Sequence, residues 1–333
     1  MSGPHWRGRA MKVVYTDNVF GNSLIEEERY KEAGYEYVEA SAYDEETLKK
    51  ECRDADAVVC CYAQITEGVI QAMENCKVVV KAGMGVNNIN IPAASAKGIM
   101  VANVQKYCLD EVADHAVALT MSLVRKTDFM DRRVRAGKWE GVAPARPIFR
   151  IKEMQFCLYG FGGIARYMAQ KFKAIGFRMA AYDPFLPDEV FQQAGVERIT
   201  EESELFRRAD VLAVQLNLNE KTAGIISYEK LKLMKPTAIF INTARGGLVD
   251  EPGLIRALQE GTIGGAGLDV LADEHPDMSS PLFQMENVCI TPHIAYYSTG
   301  SDVDLRHAAC EQVIGALERG APEFLLNGAA LGR

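Results

Sequence analysis

The feature that most constrains this chain is the alternation of short apolar runs with segments of helical periodicity. "KVVYTD" reads as a strand, and "LIEEERYKEAG" as a helix ending at Gly34. "YEYVEA" and "DAVVCCYA" follow as strands around the helix "DEETLKKECRDA". "TEGVIQAMENC", "KVVVKAGM", "IPAASAKG" and "IMVANV" continue the series as helix, strand, helix and strand. Helices between β-rich apolar runs connect parallel strands, so residues 11–109 form a complete small α/β domain.

A long helix comes next. "DEVADHAVALTMSLVRKTDFMDRRVRAGKW" carries acids at its start and bases at its end, as the helix dipole favours, and its length suits a bridge between domains. The two prolines of "GVAPARPI" break the pattern. A second α/β series runs through "MQFCLYGFGG", "FRMAAYDP", "ADVLAVQLNL", "TAIFINTA", "IGGAGLDVL" and "NVCITPHI". The last helix, "SDVDLRHAACEQVIGALERG", reads as amphipathic and ends at Gly320. A length of 333 residues fits two such domains.

Within the second series, "LYGFGGIARYMAQKFKAIGFRMAAYDP" is the most informative stretch. Gly160, Gly162 and Ala165 fit G-x-G-x-x-G/A. Gly160 allows the tight turn, Gly162 lets the backbone approach a pyrophosphate, and Ala165 permits close helix–strand packing. Gly163 and Ile164 open the helix whose free N–H groups point at the anion. Asp183 ends the next strand 23 residues after Gly160 (183 − 160), where a carboxylate grips a ribose diol. An acid at that place repels a 2′-phosphate, and Pro184, Phe185 and Leu186 follow it without a base, which favours NAD over NADP.

Other classes are disfavoured. The net charge is −8, and the densest basic cluster, "RVRAGK" at Arg133–Lys138, reads as a solvated helix end, so a nucleic-acid partner is not expected. No apolar run approaches the ~20 residues that span a bilayer. The N-terminal "MSGPHWRGRA" reads as a loose leader without the apolar core of a secretory signal. The eight cysteines make no C-x-x-C pair and lack ligand spacing with histidine, so no metal site is expected. They read as small buried thiols in a reducing, cytoplasmic compartment.

"LYGFGGIARYMAQ", "INTARGGLVDEPGLIRALQEG", "GAGLDVLADEHP" and "ITPHIA", in that order, resemble the D-isomer-specific 2-hydroxyacid dehydrogenases. "KAGMGVNNIN" and "EVADHAVALTMSLVRK" upstream extend the likeness to residues 12–326. "VANVQKYCLDEVADH" and "HIAYYS" are similar to the branch of C-terminal-binding protein. The resemblance implies two doubly wound parallel-sheet domains: a Rossmann-type NAD domain over residues 110–294, inserted into a flavodoxin-like substrate domain over 11–109 and 295–326. It also implies a homodimer built largely through the cofactor domains.

The family's arginine, glutamate and histidine fall on Arg245, Glu274 and His293. Their spacings of 29 (274 − 245) and 19 (293 − 274) suit three successive loops at the carboxyl edge of one sheet. The chemistry needs these types. Reduction of a 2-keto acid puts a hydride on carbon and a proton on oxygen. The His293 imidazolium can donate that proton, and neutral imidazole can accept it in reverse. Glu274 would hold one ring nitrogen and favour the cation. Arg245 can grip the substrate carboxylate and polarise the carbonyl. The hydride is the nicotinamide's.

The resemblance assigns further residues. Lys81, Gly83, Met84 and Gly85 match a turn whose backbone N–H groups bind the substrate carboxylate, as closely spaced donors can. Asn103, Tyr107 and Tyr296 fall beside the substrate, and Asp269, Thr243 and Ala244 line the nicotinamide wall. His115 reads as a packing or interface residue, and His275 and His307 as surface or structural ones. Gln215 and Asn217 replace the family's usual His and Pro, Asn87 stands for an Asp, and "QKYCLD" replaces a Gly-rich loop. These departures bear on substrate identity. The expected activity is an NAD-dependent interconversion of a small 2-keto acid and its D-2-hydroxy acid. The alternative is an NADH-sensing, corepressor-like binding protein with little turnover; a third possibility, hydride abstraction from a one-carbon or phosphorus acid, would use a similar scaffold.

Overall fold

The computed structural model describes residues 9–333, so all but the last two residues of the expected leader lie outside the described residues. The chain separates into two compact units. The first runs through Tyr107 and resumes over Ser298–Arg333; the second is Cys108–Tyr297. The divisions expected from sequence fall after residues 109 and 294.

The first unit alternates β1 (Lys12–Tyr15), α1 (Leu24–Glu32), β2 (Glu36–Glu39), α2 (Glu45–Glu51), β3 (Ala57–Cys60), α3 (Glu67–Ala72), β4 (Val78–Lys81), α4 (Ile91–Ala96) and β5 (Met100–Asn103). All pairings are parallel, in the order β2-β1-β3-β4-β5, which is the flavodoxin-like order. A strand covered on both faces must be apolar throughout, which is why β3 and β4 read as unbroken runs. Val78 and Val80 face one core with Leu305, Ala309 and Val313, while Val79 faces the other with Leu48, Val69 and Ala94.

The second unit contains α5 (Leu109–Arg125), α6 (Thr127–Arg135), β6 (Gln155–Tyr159), α7 (Gly163–Ile175), β7 (Arg178–Tyr182), α8 (Asp188–Ala194), β8 (Glu197–Arg198), α9 (Glu202–Arg208), β9 (Val211–Val214), α10 (Tyr228–Leu231), β10 (Ile239–Asn242), α11 (Glu251–Gln259), β11 (Gly265–Leu268) and β12 (Val288–Ile290). Its seven strands are parallel in the order β12-β11-β10-β9-β6-β7-β8. This is the doubly wound dinucleotide order with one strand added beyond the sixth. Both faces are covered: α5 and α7 pack one core around Phe156, Leu158 and Phe172, and α9 and α11 the other around Leu212, Phe240 and Leu254.

Three elements differ from expectation. The expected bridging helix is two helices, broken at Lys126, whose φ of +54° is left-handed. α5 buries Ala113, Ala116, Leu119 and Val124; α6, with Asp128, Asp131, Arg132, Arg133 and Arg135, buries nothing. Val124 is the last buried residue of the two helices, and the left-handed Lys126 separates them. The two-residue β8 is too short to show a period. The C-terminal helix α12 (Thr299–Arg319), which completes the first unit, is buried over more of its circumference than an amphipathic surface helix. Its Arg306 is 4% exposed and pairs with the fully buried Glu26 of α1 at 2.6 Å. Removing one partner of such a pair costs about 3–5 kcal/mol. Among the described residues no helix is long and apolar enough to cross a membrane.

Candidate active site

The second unit's strand order reverses between β6 and β9, and a ligand crevice opens outside the carboxyl ends at such a point. The loop after β6 is built for it. Gly160 has φ +89°, and a Cβ there would sit 2.3 Å from the Gln215 carbonyl oxygen after β9. Gly162 is the opposite case: a Cβ there would meet nothing within 4 Å, so the backbone faces open space at the N-terminus of α7. The first N–H groups of a helix lack partners within it and attract an anion. Asp183, just past β7, accepts the N–H of Phe161 at 3.0 Å and of Phe185 at 3.0 Å. A carboxylate has about four acceptor positions, so capacity remains for a diol. An open glycine face, a helix N-terminus and a neighbouring acid fit a dinucleotide.

The carboxyl ends of β10, β11 and β12 are adjacent in the sheet, with Asn242 beside Leu268 and Leu268 beside Ile290. Arg245, Glu274 and His293 follow those three ends. Asn242 shapes the first loop by donating to the Arg245 carbonyl at 2.9 Å and accepting the Ala244 N–H at 3.0 Å. A Cβ on Gly246 would lie 1.8 Å from the Leu271 carbonyl oxygen, so only glycine lets the β10 loop press against the β11 loop. His293 Nδ1 lies 2.8 and 2.9 Å from the two Glu274 carboxylate oxygens. A carboxylate only accepts, so Nδ1 carries the proton and Nε2 faces away from Glu274. Glu274 is held below the ordinary carboxylate value chiefly by that hydrogen bond; the charges of His293 and Arg245 add to this and partial burial opposes it. The Tyr296 ring stands edge-on to His293, with centroids 6.5 Å apart.

His293 has a φ of +55°, a left-handed conformation costing a non-glycine residue about 1–2 kcal/mol. Asp269, 1% exposed, supports it. Its carbonyl accepts the His293 N–H at 2.7 Å. Its carboxylate accepts the N–H groups of Ile294 at 3.0 Å and Ala295 at 2.9 Å, and the Thr291 hydroxyl at 2.6 Å. Thr243, at the end of β10, is buried and accepts the Gln215 amide at 2.7 Å. The buried Ala244 follows it, and Ile164 lies in the first turn of α7.

In the first unit, Lys81 and Asn103 end the neighbouring strands β4 and β5 in register. Lys81 is buried and donates to the Cys61 carbonyl, with its ammonium 5.2 Å from the Tyr62 ring centroid. Asn103 donates to the Met84 carbonyl at 2.6 Å, and Val104 N–H to the Gly83 carbonyl at 3.1 Å. These bonds tie the Gly83–Met84–Gly85 turn to β5. Tyr107 packs on the core beside α12. Among the described residues no group of three His, Cys, Asp or Glu is placed to hold a metal ion. A cavity of about 330 Å³ at the amino edge of the second sheet, bounded by Leu123, Lys126, Phe129, Ile239 and Asn287, contains none of the expected site residues.

Residues 117–295 match the model of the D-isomer specific 2-hydroxyacid dehydrogenase NAD-binding domain. The chain belongs to this family. The Cys108–Tyr297 unit, which holds the glycine loop and Arg245, Glu274 and His293, is therefore the family's NAD-binding domain. The chain is similar to the D-3-phosphoglycerate dehydrogenase of Methanocaldococcus jannaschii, 35% identical over 287 residues, which cover 85% of this chain and 53% of that protein. A protein of the same name from Archaeoglobus fulgidus is 32% identical over 316 residues, covering 94% and 58%. The chain thus spans about half the length of the curated relatives it matches. Among solved structures, the D-lactate dehydrogenase of Aquifex aeolicus, complexed with NAD and lactic acid, is 25% identical with a TM-score of 0.82, covering 92% of this chain and 96% of that one. These relatives place the chain in the family, without assigning it to the branch of C-terminal-binding protein.

Within this family frame, two side chains carry more than the sequence showed. Thr291 reads in sequence only as part of the run before His293, and His115 reads as packing. The His115 ring Nε2 lies 2.8 Å from the Thr291 hydroxyl and 3.4 Å from the Asp269 carboxylate. The 176 residues between His115 and Thr291 hide that pairing from any local pattern. The other two described histidines, His275 and His307, are exposed.

Proposed function

We propose that this protein is an NAD-dependent oxidoreductase interconverting a small 2-keto acid and its D-2-hydroxy acid. The observation that carries the reading is the His293–Glu274 pair at the carboxyl edge of the NAD-binding domain, with Arg245 on the adjacent loop after β10. Bound NAD(H) supplies or accepts the hydride. Gly160, Gly162, Gly163 and Ile164 take the pyrophosphate, Asp183 the ribose, and Thr243, Ala244 and Asp269 the nicotinamide side. Asp183 at the ribose favours NAD over NADP by repelling a 2′-phosphate.

The protein's own groups handle charge and proton. Arg245 grips the substrate carboxylate and polarises the carbonyl, since a guanidinium stays charged and offers a planar fork. The ring of His293, held at Nδ1 by Glu274, delivers a proton from Nε2 to the carbonyl oxygen as negative charge grows there. In the reverse direction it takes the hydroxyl proton. Glu274 keeps the ring oriented. Tyr296, whose ring stands edge-on to His293, supplies a substrate contact that bears on which 2-keto acid is taken.

We also propose a homodimer in a reducing, cytoplasmic setting. Support for the dimer is the segment after α6, which leaves Trp139 88%, Val142 59% and Phe149 47% exposed. Support for the compartment is eight free thiols, six of them buried.

The test is turnover of a 2-keto acid panel with NADH, spanning phosphorylated and unphosphorylated acids because the relatives carry phosphoglycerate and lactate names. Wild type turns over at least one member, and His293→Ala loses roughly 10²–10⁴-fold in rate. If wild type and variant are equally inert while both bind NADH tightly, the dehydrogenase reading fails and cofactor sensing replaces it.

A further inference from the structure

We propose that His115, on α5, is a positioning residue for His293, and that the two are linked by a one-way hydrogen-bond relay through Thr291 and Asp269. The proposal rests on the reading of His293 as the proton-transfer group.

The relay's direction follows from counting hydrogens. The Thr291 hydroxyl has one, and it goes to the Asp269 carboxylate at 2.6 Å, which can only accept. The ring atom 2.8 Å from that hydroxyl must therefore be a donor, so His115 presents N–H at Nε2. The chain reads His115 N–H to Thr291 O–H to Asp269. Asp269 then holds the turn from both ends of its residue: the carbonyl takes the N–H of His293, and the carboxylate takes those of Ile294 and Ala295. This is the turn in which His293 keeps its left-handed φ of +55°. Strained backbone at a functional side chain persists only where its surroundings over-determine it. His115 is the member of that network contributed by a helix remote in sequence.

α5 is suited to this task because it is fixed elsewhere in the cofactor domain. Leu109, in its first turn, lies 3.5 Å from the place a Cβ of Gly163 would take, so it packs beneath the start of the dinucleotide helix. Asp110 and Asp114 both bind Lys171 of α7, the latter at 2.5 Å. One rigid helix thus touches the helix that opens at the glycine loop and, through His115, the turn that carries the imidazole. Without the ring donor, the Thr291 hydroxyl loses the partner that aims it at Asp269. The turn then relaxes toward ordinary backbone angles and the His293 ring departs from Glu274.

The test compares His115→Leu, which removes the donor, with His115→Gln, whose amide N–H reaches about as far as the ring Nε2. Turnover and the ring ¹⁵N signals of His293 are measured on the full-length protein with NADH bound. The Leu variant is expected to lose roughly tenfold to a hundredfold in kcat with little change in KM for the keto acid, as a displaced group does. Its His293 signals lose the Nδ1–H signature, and the Gln variant recovers most of both. The proposal is overturned if the Leu variant keeps wild-type His293 signals, or if Leu and Gln lose equally. An inert wild type would defeat the dehydrogenase reading alone, because the ring signals still decide the role of His115.

Discussion

The two units repeat one architectural event and put it to different uses. In each parallel sheet the strand order reverses once, between β1 and β3 in the first unit and between β6 and β9 in the second. A doubly wound sheet offers a ligand crevice at each reversal. In the first unit Asp17 stands two residues past the end of β1, 2% exposed, and its own carboxylate takes the backbone N–H groups there. It accepts the N–H groups of Cys61 at 2.9 Å, Tyr62 at 2.5 Å and Ala63 at 3.0 Å, and the Thr16 hydroxyl at 2.6 Å. In the second unit the equivalent turn is Gly160-Phe161-Gly162, and it is open at Gly162, where a Cβ would meet nothing within 4 Å. Strand order fixes where a crevice forms; the first turn decides whether the protein or a ligand supplies the anion.

Two substitutions sharpen that contrast. Gly162→Val projects into open space, so the fold should survive while NADH loses the room it needs. Affinity should fall by at least about a hundredfold, some 2.7 kcal/mol, with the thermal midpoint hardly moved. Gly160→Val is the control: its side chain meets the Gln215 backbone from a left-handed residue, and the fold itself should fail. A Gly162→Val protein that binds NADH like wild type would break the comparison, as would one that unfolds. The smaller effect is expected at the other reversal. Asp17→Asn replaces one of two acceptor oxygens by a donor facing backbone N–H groups, which should cost roughly 1–3 kcal/mol in urea unfolding. NADH affinity should not change. An unaltered unfolding midpoint would show that Asp17 does not close the first crevice.

Much of this was legible in sequence because the informative residues are local. The glycine loop, the following helix and Asp183 lie within one β-α-β stretch, and each strand-end residue follows its own apolar run. The strand orders themselves match the two fold types implied by the resemblance. The break at Lys126 was hidden because α6 keeps helical composition and charge pattern; what ends there is full burial, which a periodicity argument does not see. Arg306 on α12 reads as a surface base until Glu26 is placed beside it. The Asp17 staple and the His115–Thr291 pair need the three-dimensional neighbour for the same reason: a buried polar side chain is recognised by its partners, and those lie 44 and 176 residues away.

The most direct measurement is a crystal structure with NAD(H) and an unreactive 2-keto acid analogue such as oxamate. The account predicts the pyrophosphate against Gly162 and the N-terminus of α7, the ribose on Asp183, the analogue's carboxylate on Arg245, and Nε2 of His293 within hydrogen-bonding distance of its carbonyl oxygen. A dinucleotide seated away from the glycine loop, or an analogue out of reach of both Arg245 and His293, would contradict it.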